Sequence, residues 1–165
     1  MNKREILILT FVLLAVLVRL IPHPPNFTPI IALALFCSTT FKNKLIGLSL
    51  PLLAMIISDL YLGFYSISLC VYGSFFLISI LGTYWKKIKV TNVFISSLIF
   101  FIITNFGVWL MGYPKTIEGF LLCYTMAIPF YTNTMLSTLF FAGLIEFFIY
   151  SKYYLYLSDY KNKIN

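Results

Sequence analysis

From Ile6 to Tyr150 the chain is a succession of long apolar runs with almost no charge. Arg19 is the one charged residue between Ile6 and Phe41 and Asp59 the one between Leu45 and Trp85, and none falls between Val90 and Pro114. An apolar stretch of about 20 residues is what an α-helix needs to cross the hydrocarbon core of a bilayer. Only 10% of the residues are charged, against about 25% in ordinary soluble domains, which excludes a water-soluble globule. The runs are continuous rather than alternating, which excludes a transmembrane β-barrel. The expected class is therefore an all-α membrane protein, a bundle of six transmembrane helices. The spans fall at about 5–21, 27–41, 45–62, 66–85, 93–112 and 128–150. Residues 1–151 form the transmembrane domain, and 152–165 a basic tail. The segment Tyr113–Ala127 is too short to span and too apolar for a free loop, so it is expected as a short interfacial helix before the sixth span. The N-terminal Asn2-Lys3-Arg4 resembles the start of a signal peptide, but no small-residue cleavage site follows. It is read as the beginning of the first membrane helix.

One stretch breaks this pattern more sharply than any other. Ile21–Pro29 reads Ile-Pro-His-Pro-Pro-Asn-Phe-Thr-Pro, with four of the seven prolines and the single histidine. Proline fixes φ and removes a backbone donor, so no helix passes through Pro22-His23-Pro24-Pro25. A rigid loop carrying an imidazole and the Asn26 amide reads as one wall of a binding site.

Basic residues set the orientation. With the N-terminus inside, the cytoplasmic segments hold Lys3, Arg4, Lys42, Lys44, Lys86, Lys87, Lys89, Lys152, Lys161 and Lys163, while the outer loops hold Lys115 alone. Lys and Arg accumulate on the cytoplasmic side of membrane proteins, so both termini are expected in the cytoplasm and the proline loop outside. The location expected is a membrane crossed many times. The net charge of +7 is thus a topology signal and not a nucleic-acid surface.

That orientation gathers polar and aromatic residues at the outer end. Arg19 and Asp59 are the ionisable groups deepest in the spans, and intramembrane charge requires a partner or water. They are expected to approach each other, either as a structural ion pair joining the first and third helices or with one of them turned to a polar ligand. His23 could hydrogen-bond a ligand or its own loop. Asn105 sits in mid-span, where an amide must find a partner, and Gly107 next to it admits close approach of a helix or a ligand. Asn105, Trp109 and Tyr113 recur at i, i+4 and i+8 on one face. Trp109 and Tyr113 fit a stacking platform and equally fit an interfacial aromatic belt. Pro129 is expected to break the helix and free backbone groups near Thr132 and Asn133, as suits a cavity lining. The candidate ligand-binding set is His23, Asn26, Asp59, Asn105, Trp109, Tyr113 and Asn133.

Catalysis is not expected. No nucleophile is paired with a base, no phosphate-binding glycine loop is present, and no cluster has metal-ligand spacing. The three cysteines lie apart inside apolar segments and read as packing residues. No cofactor is implied.

Several strings carry a resemblance. They are Arg19-x-x-Pro22-His23-Pro24-Pro25-Asn26-Phe27-Thr28-Pro29-Ile30, Ser58-Asp59-Leu60, Thr104-Asn105-Phe106-Gly107-Val108-Trp109, Tyr113-Pro114-Lys115-Thr116 and Ala127-Ile128-Pro129-Phe130-Tyr131-x-Asn133-Thr134. In this order the chain resembles an uncharacterised family of small bacterial integral membrane proteins. That family in turn is similar to the substrate-binding S components of energy-coupling factor (ECF) transporters. The resemblance implies a six-helix subunit that binds a vitamin-like nutrient near the outer face, under the loop between helices one and two. It also implies docking on a transmembrane coupling subunit with ATPases. The chain departs from the common pattern of alanines spaced Ala-x-x-x-Ala on the first helix, where only Ala15 is found. An envelope scaffold, with the polar end as a partner surface, is the competing expectation.

Overall fold

The structure is a computed structural model that describes residues 3–85 and 87–164, with side chains placed through Tyr150. Among the described residues, six helices follow one another: α1 (Lys3–Leu20), α2 (Ile30–Thr40), α3 (Lys44–Leu62), α4 (Ser68–Gly82), α5 (Val90–Gly112) and α6 (Ile117–Ile164). Short connectors join helices that pack on their sequence neighbours, so the bundle runs up and down. The α1–α2, α3–α4 and α5–α6 connectors lie on the same side of the bundle, and the proline loop reaches α6 at Asn133 and Ser137, well inside that helix's start at Ile117.

Among the described residues, three helices are long and apolar enough to cross a membrane: α3, α5 and the Ile117–Tyr150 part of α6. The other spans expected from the sequence appear as helices of different character. α1 has 18 residues and carries Lys3, Arg4, Glu5 and Arg19. α2 has only 11 residues, roughly 16 Å of helix at about 1.5 Å per residue. Every residue of α2 from Ile30 to Ser38 is buried, and α2 packs against all five other helices. A helix apolar all round belongs in a core, and α2 is the core of this bundle. Gly82 makes the approach of α4 possible, because a Cβ there would collide with the Ser38 hydroxyl of α2.

Local chemistry sets the helix ends. The Asn43 side chain accepts from the Leu45 amide at 3.0 Å and caps α3. Asn92 reaches back to accept from the Lys89 amide at 2.7 Å at the start of α5. Pro29 precedes α2 and its carbonyl accepts the first helical bond, from the Leu33 amide at 2.9 Å, a place where proline's missing donor does no harm.

One expectation needs correction. No separate interfacial helix lies over the bundle, and Pro129 does not end a helix. Residues 117–127 are the first turns of α6, which runs through Pro129 without interruption. Those turns pack alongside α5: Tyr124 donates to the Ile102 carbonyl at 2.8 Å and the Cys123 thiol reaches the Asn105 carbonyl at 3.5 Å. Proline forfeits a single i→i−4 bond, and side-by-side packing on α5 outweighs that loss. The segment expected as a tail from residue 152 continues the α6 backbone to Ile164. The side chains of Lys152, Lys161 and Lys163, and all of Lys86, lie outside the described residues.

Candidate functional site

The loop is a built turn. The Phe27 amide donates to the Pro24 carbonyl at 3.0 Å, with Pro25 and Asn26 in the central positions. Asn26 has φ 62°, and it is the only described residue other than glycine with positive φ. Proline second and asparagine third is the pattern of a type II turn, because asparagine tolerates the left-handed region. α6 then holds the turn from below. Asn133 donates from Nδ2 to the Pro25 carbonyl at 3.1 Å, and one turn further Ser137 donates to the Asn26 carbonyl at 3.3 Å. Phe27 packs against the rings of both Phe140 and Phe141. Both carbonyls of the turn are thus pinned, and Asn26 itself is exposed.

Asn26 lines a cleft of about 270 Å³. Ile67 and Val71 close the α4 side. α5 contributes Phe100, Thr104, Asn105 and Val108, and Tyr113 follows just beyond its end. The α6 wall is Cys123, Met126, Ala127 and Phe130. Gly107 brings α4 and α5 together beside this space, since a Cβ there would sit 2.5 Å from the Cys70 sulfur and 2.7 Å from Ile67 Cδ1. The close approach that Gly107 permits is therefore that of a helix. The lining is apolar with a few polar groups, the usual make-up of a small-molecule pocket. Thr104 is already bonded to the Phe100 carbonyl at 2.7 Å, and Asn105 donates from Nδ2 to the Phe101 carbonyl at 2.8 Å. Those bonds orient the two side chains on α5 and leave acceptor lone pairs on both. Among the described residues, none in the lining is acidic or basic.

A second polar cluster sits at the same end of the bundle, between α1, α3 and α4. Arg19 Nη2 lies 2.6 Å from Asp59 Oδ1, and Tyr72 donates to Asp59 Oδ2 at 2.5 Å. Arg19 also reaches the Met55 sulfur. The exposures of the two charged side chains, 13% and 7%, show a pair closed within the protein. The expected approach of Arg19 and Asp59 is present, and Tyr72 completes it. None of the three lines the cleft.

Of the seven sequence candidates, the cleft brings together Asn26, Asn105 and Tyr113. Asn133 supports the turn instead. Trp109 is turned to the α5–α6 connection, where its Nε1 donates to the Pro114 carbonyl at 3.0 Å, Lys115 lies over its ring and Phe120 meets it edge-on. Tyr113 is not on the helical face it was assigned to: α5 stops at Gly112, and Tyr113 is extended, with φ −121°. His23 is exposed, its Nδ1 2.9 Å from the Pro24 carbonyl. Thr104 and Ser137 carry no sequence signal that separates them from other hydroxyls in apolar helices. The one usable hint is that Asn133 and Ser137 are four residues apart and so share a face. Among the described residues no group of three or more His, Cys, Asp or Glu could hold a metal ion.

No curated protein and no solved structure matches the chain. A family model does, over residues 1–159 and so along nearly the whole sequence: the chain belongs to the family described as Family of unknown function (DUF6580).

Proposed function

We propose that this protein is a substrate-binding membrane subunit for uptake of a small nutrient, comparable in role to an ECF transporter S component. In this reading the chain crosses a bacterial inner membrane six times, with both termini cytoplasmic and the proline loop outside. The short α2 crosses inside a jacket of its neighbours. The ligand enters beside Asn26 and rests between α4, α5 and α6. The observation that carries the reading is the convergence of Asn26, Thr104, Asn105 and Tyr113 on one cleft at the loop end. At about 30 Å³ per water, the space is worth roughly nine waters, the scale of a single-ring or short-chain metabolite. Because the lining is neutral and Asp59 is held by Arg19 and Tyr72, the ligand class favoured is uncharged and hydrogen-bonding. The sequence contains no ATP-binding motif, so accumulation against a gradient requires a partner. A transmembrane coupling subunit with ATPases is the partner proposed.

Native mass spectrometry of the gently solubilised protein tests this. The expected result is a small-molecule adduct on the wild-type chain that is lost from Asn105→Ala and retained in Trp109→Phe. An adduct held equally by Asn105→Ala would overturn the site. A stable complex with envelope-synthesis proteins and no small ligand would favour the scaffold reading instead.

A further inference from the structure

Below the cleft, three buried serines do something their neighbours do not. Hydroxyls buried in membrane helices ordinarily donate to a carbonyl three or four residues back on their own helix. Ser38, Ser58, Ser74, Thr104, Thr134 and Thr138 all do so, at 2.7–2.9 Å. Ser79 on α4 and Ser96 and Ser97 on α5 are 0% exposed, and their hydroxyls have no partner among the described residues. A buried polar group without a partner is rare and implies an unseen one, usually water.

The α4–α5 register places two of these hydroxyls together. Phe75 and Phe100 stack face to face, with centroids 5.1 Å apart and planes 27° from parallel. α4 and α5 are antiparallel neighbours, so one turn toward the loop from this stack come Val71 and Thr104, and a further turn gives Ile67 and Val108. All four line the cleft. One turn the other way brings Ser79 opposite Ser96, with Ser97 beside it. Phe100 lines the cleft, so in this register the Phe75–Phe100 stack lies between the cleft and the serines.

The geometry points to a hydrated chamber formed by Ser79, Ser96 and Ser97, separated from the cleft by the Phe75–Phe100 stack, which acts as a gate. The two compartments lie in series along the α4–α5 seam. Opening the stack would join them into one polar route through this chain. The inference rests on the cleft being a water-accessible binding site and adds where its contents go next.

Cysteine accessibility in vesicles tests both parts. Ser96→Cys and, separately, Ser97→Cys are placed in a Cys37→Ala, Cys70→Ala, Cys123→Ala background. Each is exposed to a small cationic methanethiosulfonate reagent from one membrane face at a time. Thr104→Cys in the same background reports on the cleft. The expected result is labelling of Ser96→Cys and Ser97→Cys from the face opposite the loop and little from the loop face. Adding Phe100→Ala should raise the loop-face rate at least tenfold. If both thiols stay inert from both faces, with and without Phe100→Ala, while Thr104→Cys reacts, the chamber is dry and the inference is overturned. Loop-face labelling that Phe100→Ala leaves unchanged overturns the gate. An inert Thr104→Cys would instead remove the cleft reading beneath it.

Discussion

Two polar clusters share one end of this bundle and differ in what their polar atoms are bonded to. Between α1, α3 and α4, the charges of Arg19 and Asp59 and the Tyr72 hydroxyl are joined to one another. Between α4, α5 and α6, Asn26, Thr104, Asn105 and Tyr113 line an open cleft. Charge deep in a membrane helix is a sound reason to suspect function, yet here the charged cluster is closed and the neutral one is open. A group that must neutralise its own charge in low dielectric has its geometry dictated by its counterion. A neutral amide or hydroxyl can be satisfied by its own helix and still offer a lone pair to a ligand. The first cluster ties helices together, and the second is available.

The largest test of that contrast is Asp59→Ala, which strands a buried guanidinium. Removing one partner of such a pair costs about 3–5 kcal/mol, so most of the thermal stability in detergent should be lost. The double variant Arg19→Met, Asp59→Leu should recover most of the loss while leaving ligand retention intact. If the double variant is stable but cannot bind, the ion pair belongs to the ligand site after all. Next in size is Gly107→Leu, where the new side chain meets Cys70 and Ile67. Overpacking costs about 1–3 kcal/mol, and the α4–α5 seam beside the cleft should spread, lowering both the melting temperature and binding. Asn105→Ala should keep the fold and weaken ligand binding about tenfold, the scale of one neutral hydrogen bond left unmade at about 1–1.5 kcal/mol. Unchanged affinity in a titration of the purified variant would move the site off α5. Asn26 separates turn from contact: Asn26→Gly accepts φ 62° and removes only the amide, whereas Asn26→Val also strains the turn. Binding lost in Asn26→Val but kept in Asn26→Gly would make Asn26 a turn residue. The smallest effect belongs to Ser137→Ala, worth under about 1 kcal/mol and visible as faster amide exchange at Phe27.

The sequence was most legible where physics leaves few choices. Apolar run length and charge placed five helices within a few residues, and proline chemistry located the rigid loop at Ile21–Pro29. The scarcity of intramembrane charge was enough to pair Arg19 with Asp59. Facing was much less legible. α2, α4 and α5 are apolar on every side, so no periodicity says which residues turn inward, and Val71, Thr104 and Phe100 look like any others. The same blindness assigned Trp109 to the ligand and Asn133 to a cavity wall, when one pins a connector and the other a turn. Pro129 misled for a different reason. Its local cost is real, but the packing of α6 on α5 that offsets it is a property of two segments and is invisible in one.

The burial of α2 has a consequence for biosynthesis. In the six-span reading proposed above, a helix of 11 residues is shorter than the roughly 30 Å apolar layer it would occupy. It emerges from the ribosome second, while four of the five helices that enclose it are still to be made. Until α3 to α6 arrive, its ends have no complete protein jacket to match the bilayer. The segment should therefore settle last although it is translated early. Nascent chains stalled after Gly82 would leave α2 open to protease or to water-borne thiol reagents at Cys37, and release of the full chain would close it.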